Sequence, residues 1–419
     1  MAEGIVSKPD HACRAAVGRV MQQMWLLVPL LVTGLLTAQA APTKTAAKYS
    51  YYTTGTVYFQ RGNVTPLQPL PTPQGQALRP LVLMGGGPDV DDAYRWMIDR
   101  AGITPATGGR FVVIRTTGTD AYDPYLYYSD KKKSTTTPAV DGYVGGAFLG
   151  LSAAETLVLS NRAAADDDFV NTVVGTANAV WIAGGDQSTY VNLWQGTKLN
   201  ATLKGLLARN IPLGGTSAGA NVLGQFVFSA LNGSVTSAQA LGDPYNSLMT
   251  FDPTPFNGSG FFAASDVPAL QNTFVDPHFD ARDRMGRLVA FVSRSVAPTG
   301  SGGCSGGVLT VPLARGIGVD VETALAVEAD PVSGHFVGRR MTNVSTTTTS
   351  AVHFLTPLAA PQTCLAGTPL TVHTVEDQVL ADSATAFDFA LWWSRVPSGL
   401  YTYTVDESAG VQTPVAIPY

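Results

Sequence analysis

Residues 211–224 read IPLGGTSAGANVLG, which is the most informative stretch of this sequence. A short apolar run leads into two glycines, and residues 215–219 (GTSAG) then fit the pattern G-x-S-x-G before a helix-compatible run of small residues. The pattern predicts a nucleophile elbow, in which a sharp turn from strand to helix exposes the hydroxyl of Ser217 at the carboxyl end of the strand. The alternative is a glycine-rich turn whose serine only caps the helix.

The segments around this stretch alternate between strand-like and helix-like patterns. Apolar runs typical of buried parallel strands are residues 81–84 (LVLM), 111–115 (FVVIR) and 179–183 (AVWIA), and helix-compatible segments are residues 89–100 and 193–209. This alternation predicts an α/β fold with a mostly parallel sheet and helices on both faces. Ligands bind such sheets beyond the carboxyl ends of the strands, so Gly87, Gly185 and Ser217 would line one crevice.

Four motifs resemble those of one known family. Residues 214–220 (GGTSAGA) resemble the nucleophile motif of the cyanophycinases, serine peptidases related to aspartyl dipeptidase. Residues 184–187 (GGDQ), 276–287 (DPHFDARDRMGR) and 316–320 (GIGVD) resemble the same family in the same order. The resemblance covers roughly residues 80–330. It implies a sheet like that of class I glutamine amidotransferases and a serine-type exopeptidase that degrades cyanophycin, multi-L-arginyl-poly-L-aspartate, to β-Asp-Arg dipeptides.

The resemblance also implies roles for individual residues. Ser217 would be the nucleophile and His278 its general base, because a serine hydroxyl needs a base at neutral pH and the pKa of histidine lies near that range. The backbone N–H of Ala218 would hold the oxyanion together with one N–H from residues 85–87. Gly86 and Gly87 are the preferred candidates for that second donor.

The third member of the triad departs from the family pattern. The family has an acid directly after the aspartate of its G-I-D-E-type strand, whereas Val321 follows Asp320 in this sequence. Neighbouring side chains in a strand face opposite sides, so Glu322 would need a bulge to take that place. Glu322 is the first choice for the acid, followed by Asp320 and then Asp243.

Charged and polar residues in the motifs are candidates for substrate contacts. They are Asp186, Gln187, Asp276, Arg282, Arg284 and Arg287. The guanidinium groups would clamp carboxylates, the aspartates would hold substrate cations, and Gln187 would bind the substrate backbone. The alternative for the arginines is a basic helix face with ion pairs that contribute little. Pro277 stands where the family commonly has glutamine.

Composition narrows the classes of partner. The chain has 419 residues, 45% of them hydrophobic and 14% charged, with a formal net charge of −5. A mildly acidic chain without a long basic run argues against nucleic acid as a partner. No cluster of His, Cys and carboxylate residues has metal-ligand spacing, so neither a metal nor another cofactor is expected.

The amino-terminal 40 residues have the features of an export signal, with basic residues, an apolar stretch and an A-x-A site that ends at Ala40. The apolar stretch has about 12 residues and a membrane-spanning helix needs about 20, so a retained anchor is the weaker alternative. Removal of the signal would leave Cys304 and Cys364, which predicts one disulfide in a secreted or periplasmic protein. Two unpaired thiols are the alternative.

The chain divides into four predicted regions. They are the signal at residues 1–40, a strand segment with a Pro-rich linker at 41–78, a catalytic α/β domain at 79–340 and a β-rich extension at 341–419. Two other functions stay open. One is a secreted peptidase for aspartyl or isoaspartyl peptides, and the other is a non-catalytic binding protein in which valine at position 321 has replaced the acid of the triad. The sequence does not give the oligomeric state, and a homodimer stays open.

Overall fold

The computed structural model describes residues 42–46, 48–56, 78–300, 302–346, 350–392 and 400–414. The strands in these ranges are β1 (Lys44–Ala46), β2 (Tyr49–Gly55), β3 (Leu81–Met84), β4 (Arg110–Arg115), β5 (Ala153–Leu159), β6 (Ala179–Ile182), β7 (Leu213–Thr216), β8 (Val227–Phe228), β9 (Phe251–Asp252), β10 (Thr273–Pro277), β11 (Arg315–Val319), β12 (Ala324–Ala329), β13 (Phe336–Met341), β14 (Val352–Pro357), β15 (Val372–Leu380), β16 (Phe387–Asp388), β17 (Leu400–Ser408) and β18 (Val411–Thr413).

The helices are α1 (Asp91–Arg100), α2 (Tyr122–Tyr127), α3 (Gly146–Leu149), α4 (Arg162–Ala165), α5 (Asp168–Gly175), α6 (Gln187–Trp194), α7 (Lys198–Ala208), α8 (Ala218–Asn221), α9 (Ser237–Gly242) and α10 (Met285–Arg294), with a 3-10 turn at Pro268–Leu270. The predicted export signal and most of the Pro-rich linker lie outside the described residues.

The larger sheet has ten strands within the described ranges, in the order β1-β2-β5-β4-β6-β7-β3-β12-β13-β16. Its five central strands, from β5 to β3, are parallel, whereas the strands on both sides of them pair antiparallel. The predicted α/β fold with a mostly parallel central sheet is therefore confirmed. Since the carboxyl ends of parallel strands meet at one edge, the turns after β3, β6 and β7 lie together there.

Both faces of this sheet are buried. Along β3, Leu81 and Leu83 enter one hydrophobic core, which also receives residues from α5 and α7, while Val82 and Met84 enter the other core together with residues from α1. A strand buried on both faces needs apolar residues at every position, which explains the continuous apolar runs in the sequence. Each fully buried aliphatic side chain of this kind contributes about 1.5–3 kcal/mol.

The second sheet has six strands within the described residues, in the order β10-β11-β14-β15-β17-β18. β10 and β11 are parallel, and the strands that follow pair antiparallel. The β-rich carboxyl-terminal region is thus present, and its strands extend the sheet that begins with β10. A disulfide joins Cys304 to Cys364 with a Cα–Cα distance of 5.2 Å, which confirms the predicted pairing.

Several boundaries differ from the sequence-based ones for local reasons. The helix expected over residues 193–209 is two helices, because Gly196 takes a left-handed conformation with φ of 68° and Thr197 caps α7. Residues 122–147 were expected to lack regular structure and contain the short helices α2 and α3. The boundary predicted near residue 340 falls in β13, and β14, which follows it, pairs with β11.

Candidate active site

Ser217 occupies the turn between β7 and α8. Its backbone has φ of 53° and ψ of −123°, a conformation that is strained for a residue with a side chain. Its N–H donates to the carbonyl oxygen of Met84 at 3.0 Å, which fixes the turn to the end of β3. A Cβ on Gly219 would lie 2.0 Å from the carbonyl oxygen of Ile182, so only glycine lets α8 approach β6 this closely. The strand-to-helix turn that the motif predicts is present.

His278 follows the last residue of β10, and its ring faces the serine. Nε2 of His278 lies 2.8 Å from Oγ of Ser217. The backbone N–H of His278 donates to the carbonyl oxygen of Gly85 at 2.7 Å. A general base must lie within about 2.6–3.2 Å of the proton donor, and this pair does. The structure therefore brings together two residues that the sequence could join only through motif context.

The surroundings of His278 keep its imidazole neutral. Burial lowers the pKa of His278 to about 4, and the positive charges of Arg282 and Arg284 add to the effect. Both causes disfavour the imidazolium form. Above pH 5 the ring is therefore mostly unprotonated, which is the state in which Nε2 can accept the hydroxyl proton of Ser217.

Glu322 lies near the catalytic turn, although it does not hydrogen-bond to the histidine. β11 ends at Val319, so the alternation of side chains along a strand, on which the predicted bulge rested, does not reach Glu322. Glu322 instead has left-handed backbone with φ of 56°, and its N–H donates to the carbonyl oxygen of Gly86 at 2.9 Å. Within the described residues, no carboxylate accepts a hydrogen bond from Nδ1 of His278.

The two other candidate acids bind backbone groups. Asp320 is buried and accepts from the N–H groups of Asp280 at 3.2 Å and of Ala351 at 2.7 Å. Asp243 accepts from the N–H groups of Tyr245 and Gly367. Neither carboxylate hydrogen-bonds to His278 in the described part of the chain, and both hold turns.

The turn at residues 85–87 connects the segments that contain His278 and Glu322. The carbonyl oxygens of Gly85 and Gly86 accept from His278 and Glu322, and the N–H of Gly85 donates to the carbonyl oxygen of Thr323 at 2.9 Å. That bond removes Gly85 from the candidate oxyanion donors. The N–H groups of Gly86, Gly87 and Ala218 have no hydrogen-bond partner among the described residues. These three groups are the ones selected from the sequence, and they are free to bind an oxyanion.

A polar pocket of about 80 Å³ lies beside the serine. Its lining residues are Gly185, Gln187, Ser217, Ala218, Asn221, Pro277, Arg282, Arg284 and Arg287. The pocket thus contains four of the six predicted substrate contacts. Asp186 is exposed outside this lining and caps α6 by accepting from the N–H of Ser188. Asp276 is buried behind the pocket.

The three arginines differ in how far they are already engaged. Arg287 makes two hydrogen bonds to the carboxylate of Asp276, at 2.5 and 2.7 Å, and donates to the carbonyl oxygen of Val235. Arg284 bonds to Asp276 at 3.2 Å and to the carbonyl oxygen of Pro277. Arg282 is exposed, and its guanidinium has no partner in the part of the chain that is described. Asp276 is therefore committed to the protein's own cations, and Arg282 is the arginine open to a ligand.

Asn221 is a pocket residue that the motif analysis passed over. It is buried, and its Nδ2 donates to the carbonyl oxygen of Val275 at 2.9 Å. It is the last residue of the short helix α8 that begins directly after Ser217, and both residues line the pocket. Its position as a polar residue in the run of small residues after G-x-S-x-G is the signal that would have identified it.

Two other features are absent from the residues that the structure describes. Among the described residues, no group of three or more His, Cys, Asp or Glu side chains is arranged to hold a metal ion. In the same residues, no helix has both the length and the apolar character needed to cross a membrane.

Part of this chain resembles a known family of peptidases. The model of peptidase family S51 matches residues 144–294. This segment of the chain is similar to peptidase family S51. The resemblance inferred from the motifs is thereby confirmed. The S51 segment contains Ser217, His278 and the three arginines, whereas Glu322 lies beyond it.

Two curated relatives are named cyanophycinase, from Synechococcus elongatus and Thermosynechococcus vestitus. Each is 26% identical over 184 residues, which are 43% of this chain and 46% of the relative. The match thus spans about half the length of these relatives.

Two solved structures show a distant likeness. One is a peptidase from an acI-B1 Actinobacterium, 19% identical with a TM-score of 0.38, and the match covers 67% of this chain and 91% of that one. The other is a putative peptidase E protein from Listeria monocytogenes, 14% identical with a TM-score of 0.34, and the match covers 64% and 100% of the two chains.

Proposed function

We propose that the protein is an exported serine-type exopeptidase that degrades cyanophycin to β-Asp-Arg dipeptides. The observation that carries the proposal is the 2.8 Å contact between Oγ of Ser217 and Nε2 of His278, beside a pocket that contains three arginines. The relation to family S51 supports a peptidase, and the names of the two curated relatives support the substrate class.

The reaction would follow the acyl-enzyme route. As Oγ of Ser217 bonds to the substrate carbonyl carbon, Nε2 of His278 takes the hydroxyl proton, and the carbonyl oxygen becomes an oxyanion. The N–H of Ala218 and one N–H from Gly86 or Gly87 stabilise that charge. The C–N bond then breaks, and the leaving amine takes the proton from His278. Water hydrolyses the ester in the same way, with His278 again as the base and then the acid.

Substrate binding would depend chiefly on Arg282. Each arginine attached to the polymer carries a free carboxylate, and a guanidinium fork binds a carboxylate through two parallel hydrogen bonds. Arg284 and Arg287 would add positive potential to the pocket while Asp276 holds them in place.

A second candidate function, a secreted peptidase for aspartyl or isoaspartyl peptides, is favoured by the pocket itself. The lining contains no carboxylate, because Asp186 is outside it and Asp276 is occupied by two arginines. A volume of about 80 Å³ has room for a short acidic side chain, since about 10–15 Å³ of the same kind of volume is enough to hold one water. This pocket favours a substrate carboxylate over a substrate guanidinium.

Parallel digestion experiments test the two candidates. Purified protein and the Ser217→Ala variant are incubated with cyanophycin granules and, separately, with aspartyl and isoaspartyl dipeptides, and the products are separated by chromatography. The cyanophycinase proposal expects soluble β-Asp-Arg from the granules with wild type only. Cleavage of the dipeptides without release from granules would favour the second candidate.

A third candidate, a non-catalytic binding protein, predicts a different result. A serine-directed phosphonate should label the wild type at Ser217 and leave Ser217→Ala unlabelled. The absence of labelling together with the absence of turnover would favour a binding protein. For export, amino-terminal sequencing of protein recovered outside the cytoplasm should begin at Ala41.

A further inference from the structure

The turn that carries His278 is fastened to the end of β11. The N–H of Phe279 donates to the carbonyl oxygen of Val319 at 3.2 Å. Asp280 accepts from the N–H of Val321 at 2.9 Å and donates its own N–H to Oδ1 of Asp320 at 3.2 Å. The residue directly after β11 therefore helps to set where the catalytic imidazole stands.

A second histidine lies behind this turn. His353, on β14, is fully buried, with Nδ1 2.9 Å from Oδ2 of Asp377 and Nε2 3.8 Å from Oδ1 of Asp320. Burial lowers the pKa of His353, but the carboxylates of Asp377 and Asp320 outweigh it and raise the pKa to about 10. The ring is therefore a buried cation between two carboxylates, an arrangement that disfavours movement because each charge depends on the others.

The ring of His353 also supports the turn by direct packing. Its centre lies 4.9 Å from the ring centre of Phe279. His353 pairs with Gly318 in the antiparallel ladder of β14 and β11. A Cβ on Gly318 would lie 2.6 Å from the ring of Phe279, so that ring rests directly on the strand. His353 thus meets the catalytic turn through a charge on Asp320 and through a ring contact with Phe279.

We propose that His353 is a positioning residue for His278, acting through Asp320 and Phe279 and anchored by Asp377. The inference rests on the proposed serine-hydrolase function. Displacement of a catalytic group by about 1 Å can cost on the order of 100-fold in rate. A fixed turn behind His278 therefore matters most where no carboxylate hydrogen-bonds to Nδ1 of that residue, as in the described part of this chain.

The test compares two histidine variants. His353→Gln removes the buried cation, and His335→Gln removes another histidine that is paired with an aspartate, at 2.8 Å from Asp388, away from the pocket. Active sites are counted with the phosphonate, so that loss of folded protein is separated from loss of rate. We expect kcat per titrated site to fall about 10- to 100-fold in His353→Gln with KM within about threefold, and both to stay unchanged in His335→Gln.

Spectroscopy gives a readout that needs no turnover. The pKa of the His278 ring is followed by NMR in wild type and in His353→Gln, with the signal assigned through His278→Gln. A loosened turn admits water to the ring, so the pKa of His278 should rise from about 4 towards its ordinary value of 6.5. A purely structural role for His353 would lower the unfolding temperature and leave this pKa and kcat per site unchanged, which would overturn the proposal.

A milder variant keeps the proposal testable if His353→Gln does not fold. Asp377→Asn keeps a side-chain oxygen for Nδ1 of His353 and removes only the charge, and we expect the same changes in smaller measure. Wild type that neither reacts with phosphonate nor turns over any substrate would refute the proposed function. In that case a shifted pKa of His278 in the variant would still support the positioning role, and an unshifted one would refute it.

Discussion

Substitution of Gly86 by alanine should separate the histidine from the serine. Gly86 has φ of +95°, and a Cβ there would lie 2.4 Å from Cε1 and 2.6 Å from Nε2 of His278. Ordinary van der Waals contact begins near 3.4 Å, so the ring would have to retreat by about 1 Å, the difference between 3.4 and 2.4 Å. The Gly86→Ala variant therefore acts on the contact between His278 and Ser217 while it keeps both of these side chains and the N–H of residue 86.

The expected loss in rate follows from that displacement. A shift of about 1 Å in a reacting group costs on the order of 100-fold, which equals about 2.7 kcal/mol of transition-state free energy. Alanine in left-handed backbone costs a further 1–2 kcal/mol or so of folding free energy. The second cost lowers stability and the first lowers kcat, so the two effects can be measured separately.

Gly258→Ala is the matched control. Gly258 has φ of +94°, and a Cβ there would meet no atom within 4 Å. Both variants therefore place alanine at nearly the same positive φ, and only Gly86→Ala carries the collision with His278. The assay is kcat per phosphonate-titrated site, with unfolding followed by circular dichroism. A Gly86→Ala enzyme with kcat within about threefold of the Gly258→Ala enzyme would refute the assigned position of the histidine.

Four further predictions concern charge and cross-linking. Because burial and neighbouring arginines lower the pKa of His278 to about 4, kcat/KM should rise with pH through an apparent pKa near 4, and an acid limb near 6.5 would contradict this. Arg282→Gln should raise KM for an acidic substrate about tenfold and leave the denaturation midpoint unchanged. Arg287→Gln should leave Asp276 with Arg284 as its remaining cation and lower the free energy of unfolding by up to about 3 kcal/mol, the lower end of the cost of an uncompensated buried charge, so equal stability of the two variants would contradict the assigned roles. Replacement of Cys304 by serine opens a link between residues 60 positions apart and should lower the free energy of unfolding by about 2–4 kcal/mol in a denaturant titration.

The sequence predicted the structure best where a local pattern is compatible with only one kind of structure. Continuous apolar runs predicted the central parallel strands, and G-x-S-x-G predicted the turn at Ser217, because burial on both faces and a strained turn each leave a short signature. The break between α6 and α7 was missed, since Gly196 and Thr197 look ordinary within a periodic apolar pattern. The pairing of β14 with β11 depends on contacts between distant residues, which periodicity does not report.

In the candidate site, too, the features with a local sequence pattern were predicted and those that depend on distant contacts were not. Motif context selected His278 and the glycine turn, and both meet Ser217 in the structure. The sequence did not show that Arg284 and Arg287 form ion pairs with Asp276. These pairs depend on where the three side chains lie in space, which the motif does not report. The rule used for Glu322 assumed a strand at a position where the strand has already ended.

The valine at position 321 does not by itself indicate a misplaced histidine, because the turn at residues 85–87 also holds His278. An acid in a triad orients the imidazole and stabilises its charge, and its loss can cost less than loss of the serine or histidine. Here the orientation has other sources, namely the bond from the N–H of His278 to Gly85 and the fastening of the following turn to Asp320. The carbonyl oxygens of Met84, Gly85 and Gly86 accept from Ser217, His278 and Glu322 in turn. Since backbone bonds at one turn hold all three segments, the position of the His278 ring beside Ser217 does not depend on a carboxylate at Nδ1.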